Sequence, residues 1–518
     1  MEAPDSLHRL IASLSEEEYL YCLQYLPQTK LADNVLYWEP LMQTIRRAPN
    51  YESINLQSIV LANGYTAPDN DCDPQTVMAG LYNHLLCLLQ NYTSTAQPLN
   101  IDAQLSKEIG YIASLYEKGL YEEALIRTLK GQLMAISNEK LAYVPLFVYW
   151  NKRIAEIQGY KGINESELKE LCQLEQKNLA KLHDINEYWL LQAQLYYQYH
   201  HNGIVRSPHD IDRIGDIFGT SSLGDEDKTS SFEARLLLYK VYGTYFFMVR
   251  DFTNCYKYGK KMVEWLEAHP KLMRIDLLSY INAVNNLLNM CSVMGKTEER
   301  EYYLLQLRTM LDDKTLYMND AVRIKLFEAY YYHQMTYYLG RNQFEEGVKC
   351  VAEMEQTLRF LDRRLDRMGR VMLCFYSFHL CFGAGHYADA HRWLQIILAQ
   401  PPKEVRQDIY DFAQILSLLT AYELHNSPLL KQTTKSVYKH LYHKIEKSAF
   451  EKLVMSFLRN TTHRNNGQLN GAFVELLAQL ELIANDNFEK KAFAFFDFPK
   501  WVYAQTVGQA FGELVKSQ

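Results

Sequence analysis

Apolar residues recur every three or four positions along most of the chain, which is the spacing of one face of an α-helix. One such stripe consists of Trp393, Leu394, Ile397 and Leu398. Pro401 and Pro402 follow this stripe and end its helix. The segment before it, residues 371–382, is apolar nearly all round, as expected of a helix packed between neighbours. The two segments together predict a helical hairpin.

A short corner joins these helices. Gly385 can adopt the left-handed conformation that ends a helix, Tyr387 can pack back on the first helix, and Ala390 permits a close backbone approach. Comparable corners begin a second helix at 121, 252, 297, 344 and 387, and helix starts at 165, 208 and 428 continue the series. The spacings are 44, 43, 44, 45, 47, 43 and 41 residues, so each repeat has room for two helices of roughly 18–20 residues.

This period predicts an all-α fold, namely an α-solenoid of antiparallel helix hairpins with a helical cap at each end. Residues 96–446 hold the repeat array, and residues 1–95 form a separate N-terminal helical domain or cap. Residues 447–518 depart from the period and are rich in phenylalanine, which predicts a C-terminal helical cap. The polar run 219–230, rich in glycine and serine, predicts a surface loop.

The corner at Gly385, Tyr387 and Ala390, with Pro401 following, resembles the tetratricopeptide repeat. The period of about 44 residues is longer than the 34 of that family, so the array is better described as TPR-like. Four segments also look like an uncharacterised family of bacterial helical-repeat proteins. They are Ser13–Tyr19, Leu115–Ala124, Phe450–Arg459 and Lys491–Phe498. The resemblance implies a helical-repeat fold and no particular activity.

Cysteine usage and the N-terminal sequence bear on the compartment. The nine cysteines form no C-x-x-C pair, which predicts reduced, buried thiols. Met1 to Glu18 lacks a basic segment followed by an apolar one, so we expect no signal peptide. No window approaches the roughly 18 consecutive apolar residues of a membrane span. We therefore expect a cytoplasmic protein that does not enter the membrane.

The N-terminal region is acidic. Residues 1–90 hold four basic and eleven acidic residues, which accounts for the chain's net charge of −7. Their short helices could form a helix-turn-helix reader of DNA, but Lys and Arg supply most nucleic-acid affinity. We therefore expect a cap that covers the end of the array, and nucleic-acid binding is the alternative.

Three groups of acidic or histidine residues partly match metal-site patterns. Asp69, Asp71 and Asp73 resemble the start of a calcium loop, but Pro74 stands where that loop needs glycine. His440 and His443 lie one helical turn apart, and His200, His201 and His209 flank a turn. Neither histidine group has a complete ligand set. Because no catalytic motif occurs either, we expect no metal, no cofactor and no enzymatic activity.

Two helices that open hairpins carry candidate peptide-binding residues. Such first helices line the concave face in repeats of this type, and asparagine amides can hold a peptide backbone. The candidate residues are Asn282, Asn285, Asn289, Tyr330, Tyr331, His333 and Tyr337. The other interpretation is that they make hydrogen bonds between repeats. An arginine run at 359–370, interleaved with acidic residues, predicts mostly i,i+4 ion pairs and less readily an anion site.

These observations predict a non-enzymatic scaffold or adaptor that binds a protein or peptide on the concave face of a TPR-like superhelix. The alternative, from a different class, is a regulator whose N-terminal unit contacts nucleic acid while the repeats sense a partner. The sequence does not identify the partner.

Overall fold

The computed structural model describes most of the chain. The described residues are 4–26, 38–48, 74–96, 100–202, 214–215, 217, 226, 229, 231–313, 315–316, 320–361, 365–400, 407–425, 427–442, 450, 452–453, 456–457, 466–484 and 496–516. These residues are predominantly helical and include no strand, so the fold is all-α, as predicted. The chain forms two compact units, Met1–Ala283 and Val284–Gln518. The division into three parts at 95 and 446 is finer than this and stays a prediction.

The first unit contains eleven α-helices among the described residues. They are α1 (Pro4–Ser13), α2 (Glu16–Tyr25), α3 (Trp38–Arg47), α4 (Pro74–Ala96), α5 (Ile101–Glu117), α6 (Tyr121–Ser137), α7 (Val144–Ile157), α8 (Glu165–Asn202), α9 (Phe232–Met248), α10 (Phe252–Glu267) and α11 (Pro270–Ile275). Helices α1–α4 share one core, which includes Leu7, Ile11 and Leu85. Helices α5–α8 share a second core around Ile112 and Phe147. Helices α5–α11 pack on each other in consecutive pairs, whereas α1 and α2 pack on α4, and α1 also packs on α3.

The second unit begins within α12 (Leu277–Val293) and continues with consecutive hairpins. Its other helices are α13 (Thr297–Asp312), α14 (Asp320–Gly340), α15 (Phe344–Leu361), α16 (Arg367–Gly383), α17 (Tyr387–Leu398), α18 (Gln407–Glu423), α19 (Ser427–Tyr442), α20 (Asn466–Ala484), α21 (Phe498–Val507) and α22 (Phe511–Lys516). Helix α16 is buried on nearly every side, as its all-round apolar sequence predicts. The stripe on α17 is also buried, at Trp393, Leu394 and Ile397.

The hairpin corners share one backbone conformation. In each of six corners, a residue with positive φ lies two positions before the second helix: Gly119, Arg250, Gly295, Asn342, Gly385 and His425. At Gly385 the next amide, that of His386, donates to the Cys381 carbonyl at 2.9 Å, which ends the first helix. The Tyr387 ring packs against Phe382 with 5.1 Å between centroids, as predicted. The predicted corner geometry is therefore confirmed here.

Two details are not predicted by the sequence pattern. At the corner before α15, Gly340 ends α14 and Asn342 takes the left-handed conformation at φ 55°. Asparagine can do this because its short polar side chain tolerates the region. Helix α8 is 38 residues long, about twice the predicted length. It contains neither glycine nor proline, so nothing in its sequence ends it earlier.

The C-terminal helices pack tightly on the preceding helices of the second unit. A Cβ built on Gly512 of α22 would lie 1.7 Å from the backbone oxygen of Gly383, at the end of α16. Asn342 also donates to the Val515 carbonyl at 3.0 Å. In addition, Glu423 of α18 accepts from Trp501 Nε1 at 2.6 Å and Gln505 Nε2 at 2.7 Å. Helices α21 and α22 are therefore attached to the hairpins by specific polar contacts.

Replacing Gly512 with alanine should displace α22, because the obstructing atom belongs to the backbone and cannot rotate away. We expect the free energy of unfolding in urea to fall by about 1–3 kcal/mol. Gly471→Ala is the matched control, because a Cβ there meets nothing within 4 Å. The control should be neutral or up to about 1 kcal/mol more stable. Equal stability of the two variants would contradict the position of α22.

Among the described residues, no helix combines the length and apolar character that a bilayer span requires. Some predicted features lie outside the described residues and are not tested: the calcium-like segment 69–73, His209 and His443. The same holds for most of the predicted loop 219–230.

Candidate functional site

The predicted peptide-binding residues separate into a buried group and an accessible group. Tyr330, Tyr331 and His333 of α14 are buried. In α12, Asn282 is exposed and Asn285 and Asn289 are half-buried, and Tyr337 of α14 is also half-buried. A further asparagine, Asn286, is exposed. The outward stripe of α12 is therefore 282, 286 and 289, whereas Asn285 lies to one side of it.

Asn285 turns toward the next repeat. Its Oδ1 lies 3.0 Å from Nε2 of His333, so a hydrogen bond joins α12 to α14. Burial lowers the pKa of His333 to about 3, and the nearby Arg300 guanidinium contributes to this lowering. His333 is therefore neutral at physiological pH. For this pair, the geometry matches the interpretation in which the residues connect repeats.

Arg300 of α13 extends this network, although no sequence motif singles it out. Its guanidinium donates to the His333 carbonyl at 3.1 Å, to Thr336 Oγ1 at 3.0 Å and to Ser292 Oγ at 3.3 Å. Only 9% of Arg300 is exposed, and burial lowers its pKa. One charged side chain thus links three helices, α12, α13 and α14.

Comparison of the corners shows why Arg300 is unusual. It occupies the fourth position of its second helix, where four of the other five corners have a small side chain (Ala124, Cys255, Gly347 and Ala390) and the fifth has Leu430. Small side chains suit this position, because a Cβ on Gly347 would already come within 2.3 Å of Leu380. Aligning the corners by sequence would therefore have identified Arg300 as an exception.

The network reaches the surface at Tyr337. The Tyr337 hydroxyl donates to Glu301 Oε1 at 2.5 Å, and Arg341 reaches the same oxygen at 3.2 Å. The Arg341 guanidinium also lies 4.7 Å from the centre of the Tyr337 ring. This end of the network is polar and accessible, and it carries the negative charge of Glu301 and the positive charge of Arg341.

Asn289 lies on α12 between Asn285 and Ser292, the two residues that contact the α14 network. Within the part of the chain that the structure describes, the side chains of Asn286 and Asn289 form no hydrogen bond. We group them with Tyr337 as the amide–tyrosine surface (Asn286, Asn289 and Tyr337), because Asn289 and Tyr337 each lie one helical turn beyond the hydrogen-bonded pair Asn285 and His333. A primary amide offers two donors and an acceptor, which matches the groups of a peptide backbone.

The buried tyrosines of α14, Tyr330 and Tyr331, contribute to the packing between helices. Tyr330 contacts the Arg308 guanidinium, which lies 5.5 Å from its ring centre, and Arg308 in turn pairs with Glu353 of α15 at 2.5 Å. Burial raises the pKa of Tyr330 and Tyr331 above the usual value of a tyrosine. Both hydroxyls therefore stay protonated at physiological pH, inside the hairpins.

The second unit also contains a small cavity of about 230 Å³ beside α22. Its lining includes Phe344, His379, Phe496 and Phe511, with Lys500 among its polar residues. Burial lowers the pKa of His379 to about 3, so the cavity presents a neutral imidazole. The cavity is smaller than a typical ligand pocket of roughly 300–1,000 Å³.

The remaining sequence candidates have local partners. Arg359 pairs with Glu355 at 3.8 Å in the predicted i,i+4 geometry. Glu355 is held more closely by Arg392 of α17, at 2.8 and 2.9 Å, and this pairing lowers the pKa of the Glu355 carboxyl. Near the N-terminus, Arg46 binds Glu16 at 2.8 Å and lies over the Tyr19 ring. Among the described residues, no three potential ligands converge on a possible metal position.

No protein-family model matches the chain, and a search of curated proteins gave no match. The site must therefore be interpreted from its own geometry.

Proposed function

We propose that this protein is a non-enzymatic scaffold that binds an extended peptide segment of a partner protein at the amide–tyrosine surface. The observation that supports this most is the row of accessible amides on α12, which adjoins a fixed polar network. Asn285 and Ser292 hold α12 against α14 and α13, so Asn286 and Asn289 are presented on a rigid helix. Binding therefore costs little ordering of the helix backbone.

The polar end of the surface sets the expected ligand chemistry. Tyr337 can stack on a side chain or a peptide plane, while Glu301 and Arg341 offer one negative and one positive charge. A peptide with polar or charged side chains near its anchored backbone suits this combination. Each of the eight described cysteines is a free thiol, with Cys87 and Cys172 exposed and the others buried. Reduced thiols are typical of the cytoplasm, where we place the protein.

Affinity capture with the full-length chain tests the proposal. A tagged protein is incubated with lysate of the source organism, and retained proteins are quantified by mass spectrometry. The variant Asn286→Ala/Asn289→Ala should retain about 10-fold less of a stoichiometric partner, because it loses two side-chain hydrogen-bonding groups.

Gln356→Ala is the matched control, since Gln356 is an exposed amide on α15, the second helix of a hairpin in the same unit. It should retain the partner as the parent does. Equal retention by all three proteins, or the absence of any stoichiometric partner, would overturn the proposal.

A further inference from the structure

Helix α6 in the first unit carries an apolar stripe on its outward face. Four aliphatic side chains make up this stripe: Ile126 (67% exposed), Leu129 (44%), Leu133 (67%) and Ile136 (38%). Their spacing of three and four residues aligns them over about 15 Å of the helix. The opposite face is buried, with Gly131 packed directly against the Phe147 ring of α7. Contiguous exposed apolar surface of this kind marks interaction sites.

Other second helices do not share this stripe. In α10 the four equivalent positions are Lys257, Lys260, Glu264 and Glu267, all charged. In α15 they are Lys349, Ala352, Gln356 and Arg359, and all four are exposed. Helix α13 combines Tyr302 and Leu305 with Thr309 and Asp312. The hairpin architecture therefore does not require an apolar outward face, and α6 has one for another reason.

The stripe is symmetric about residue 131. Ile126 and Ile136 lie five residues to either side of it, and Leu129 and Leu133 lie two residues to either side. If a second copy of α6 packs antiparallel across this centre, each isoleucine meets an isoleucine and each leucine meets a leucine. Such a contact uses the same patch on both chains, which is the geometry of a two-fold symmetric dimer.

The charges at the two ends of α6 agree with this arrangement. Glu122 and Glu123 are exposed in its first turn. At its other end, Lys271 donates to the Ser137 carbonyl at 3.2 Å. Lys140 lies three residues beyond Ser137 and also pairs with Asp102. Antiparallel pairing brings the acidic end of each helix to the basic end of its partner.

We propose that α6 forms the contact of a homodimer. The stripe of one chain packs antiparallel on the stripe of a second copy of the chain, and the contact is centred at the level of residue 131 along the helix. Four aliphatic side chains per chain cover less than the roughly 800 Å² per partner of a standard stable interface. The association is therefore weak, with a Kd on the order of 10 μM. The contact lies in the first unit and the amide–tyrosine surface in the second, so the two proposals can fail separately.

Sedimentation velocity of the full-length chain tests the dimer at concentrations around this Kd. The mass of the parent should rise from 60.7 kDa toward twice that value. Leu129→Lys and Leu133→Glu should each weaken self-association by at least 10-fold, because each places two charges in an apolar contact. Both positions are exposed, so the variants should keep the parent's far-UV circular dichroism.

Mixing the two variants tests the register of the contact. In the mixed dimer, the lysine introduced at position 129 of one chain would face the glutamate introduced at position 133 of the other, while the second leucine pair stays intact. An equimolar mixture should therefore associate again, whereas each variant alone stays monomeric. Leu305→Glu is the control, since Leu305 is 63% exposed at the equivalent position of α13, and it should associate like the parent.

A parent protein that stays monomeric throughout the concentration range would overturn the proposal. Self-association of Leu133→Glu equal to that of the parent would also overturn it. A mixture of the two variants that stays monomeric would rule out the antiparallel register about Gly131.

Discussion

Replacing Arg300 with alanine should lower the free energy of unfolding by about 3 kcal/mol. The substitution leaves a space between three helices, and it removes the donor to the His333 carbonyl, Thr336 and Ser292. The first effect is the cost of a cavity, and the second is the loss of three hydrogen bonds that a charged group donates. Urea unfolding followed by circular dichroism measures the sum.

Arg300→Met separates these effects. Methionine fills most of the space of the arginine stem and removes a cation whose burial is unfavourable, so the loss should be within about 1 kcal/mol. Arg359→Ala is the control: the Arg359 side chain is 75% exposed and lies 3.8 Å from Glu355, so removing it should cost at most about 0.5 kcal/mol. If Arg300→Ala were as stable as this control, the three-helix network would be wrong.

The second large effect is a loss of stability in acid that depends on His333. The pKa of His333 is about 3 in the folded protein, because the side chain is buried and Arg300 is near, whereas an unfolded histidine titrates near 6.5. Below pH 6.5 the unfolded chain therefore takes up a proton that the folded chain does not. This contribution to stability is complete above about pH 6.5 and is lost as pH falls, and the loss reaches about 2 kcal/mol at pH 5.

The variant His333→Gln separates the contribution of His333 to the pH dependence of stability from the contributions of the other titrating groups. Glutamine can still bond to Asn285 but cannot take up a proton. Between pH 6 and pH 4, the free energy of unfolding of the variant should fall less steeply than that of the parent, by about 1.4 kcal/mol per pH unit. His379 has a similarly lowered pKa and is present in both proteins, so its contribution cancels. Parallel pH profiles would show that His333 is accessible to solvent.

The repeat architecture can be predicted from sequence because its determinants are local. A residue that tolerates positive φ, an aromatic or polar helix start and a small residue three positions later are all visible at Gly385, Tyr387 and Ala390. At the corner before α15 the residue with positive φ is Asn342 and not Gly340, and the local sequence does not distinguish these two residues. The period also predicts too short a helix α8. It assumes that every helix ends after about 20 residues, whereas no helix-ending residue occurs within α8.

The site is harder to predict, because its contacts join residues far apart in sequence. Helical spacing places Asn285 and Asn289 near one face of α12, but only the packing of α14 shows that Asn285 turns inward to His333. Spacing likewise cannot show which side of α6 faces solvent. Ile126 and Leu133 are indistinguishable in sequence from core residues, and the structure identifies them as exposed.

The most direct test of the scaffold function is hydrogen–deuterium exchange of the full-length protein with and without the partner that it retains. Binding at the amide–tyrosine surface should slow exchange in peptides from Leu277–Val293 and Asp320–Gly340, with little change in Tyr121–Ser137. Slower exchange confined to other helices, with these two unaffected, would contradict the proposed surface.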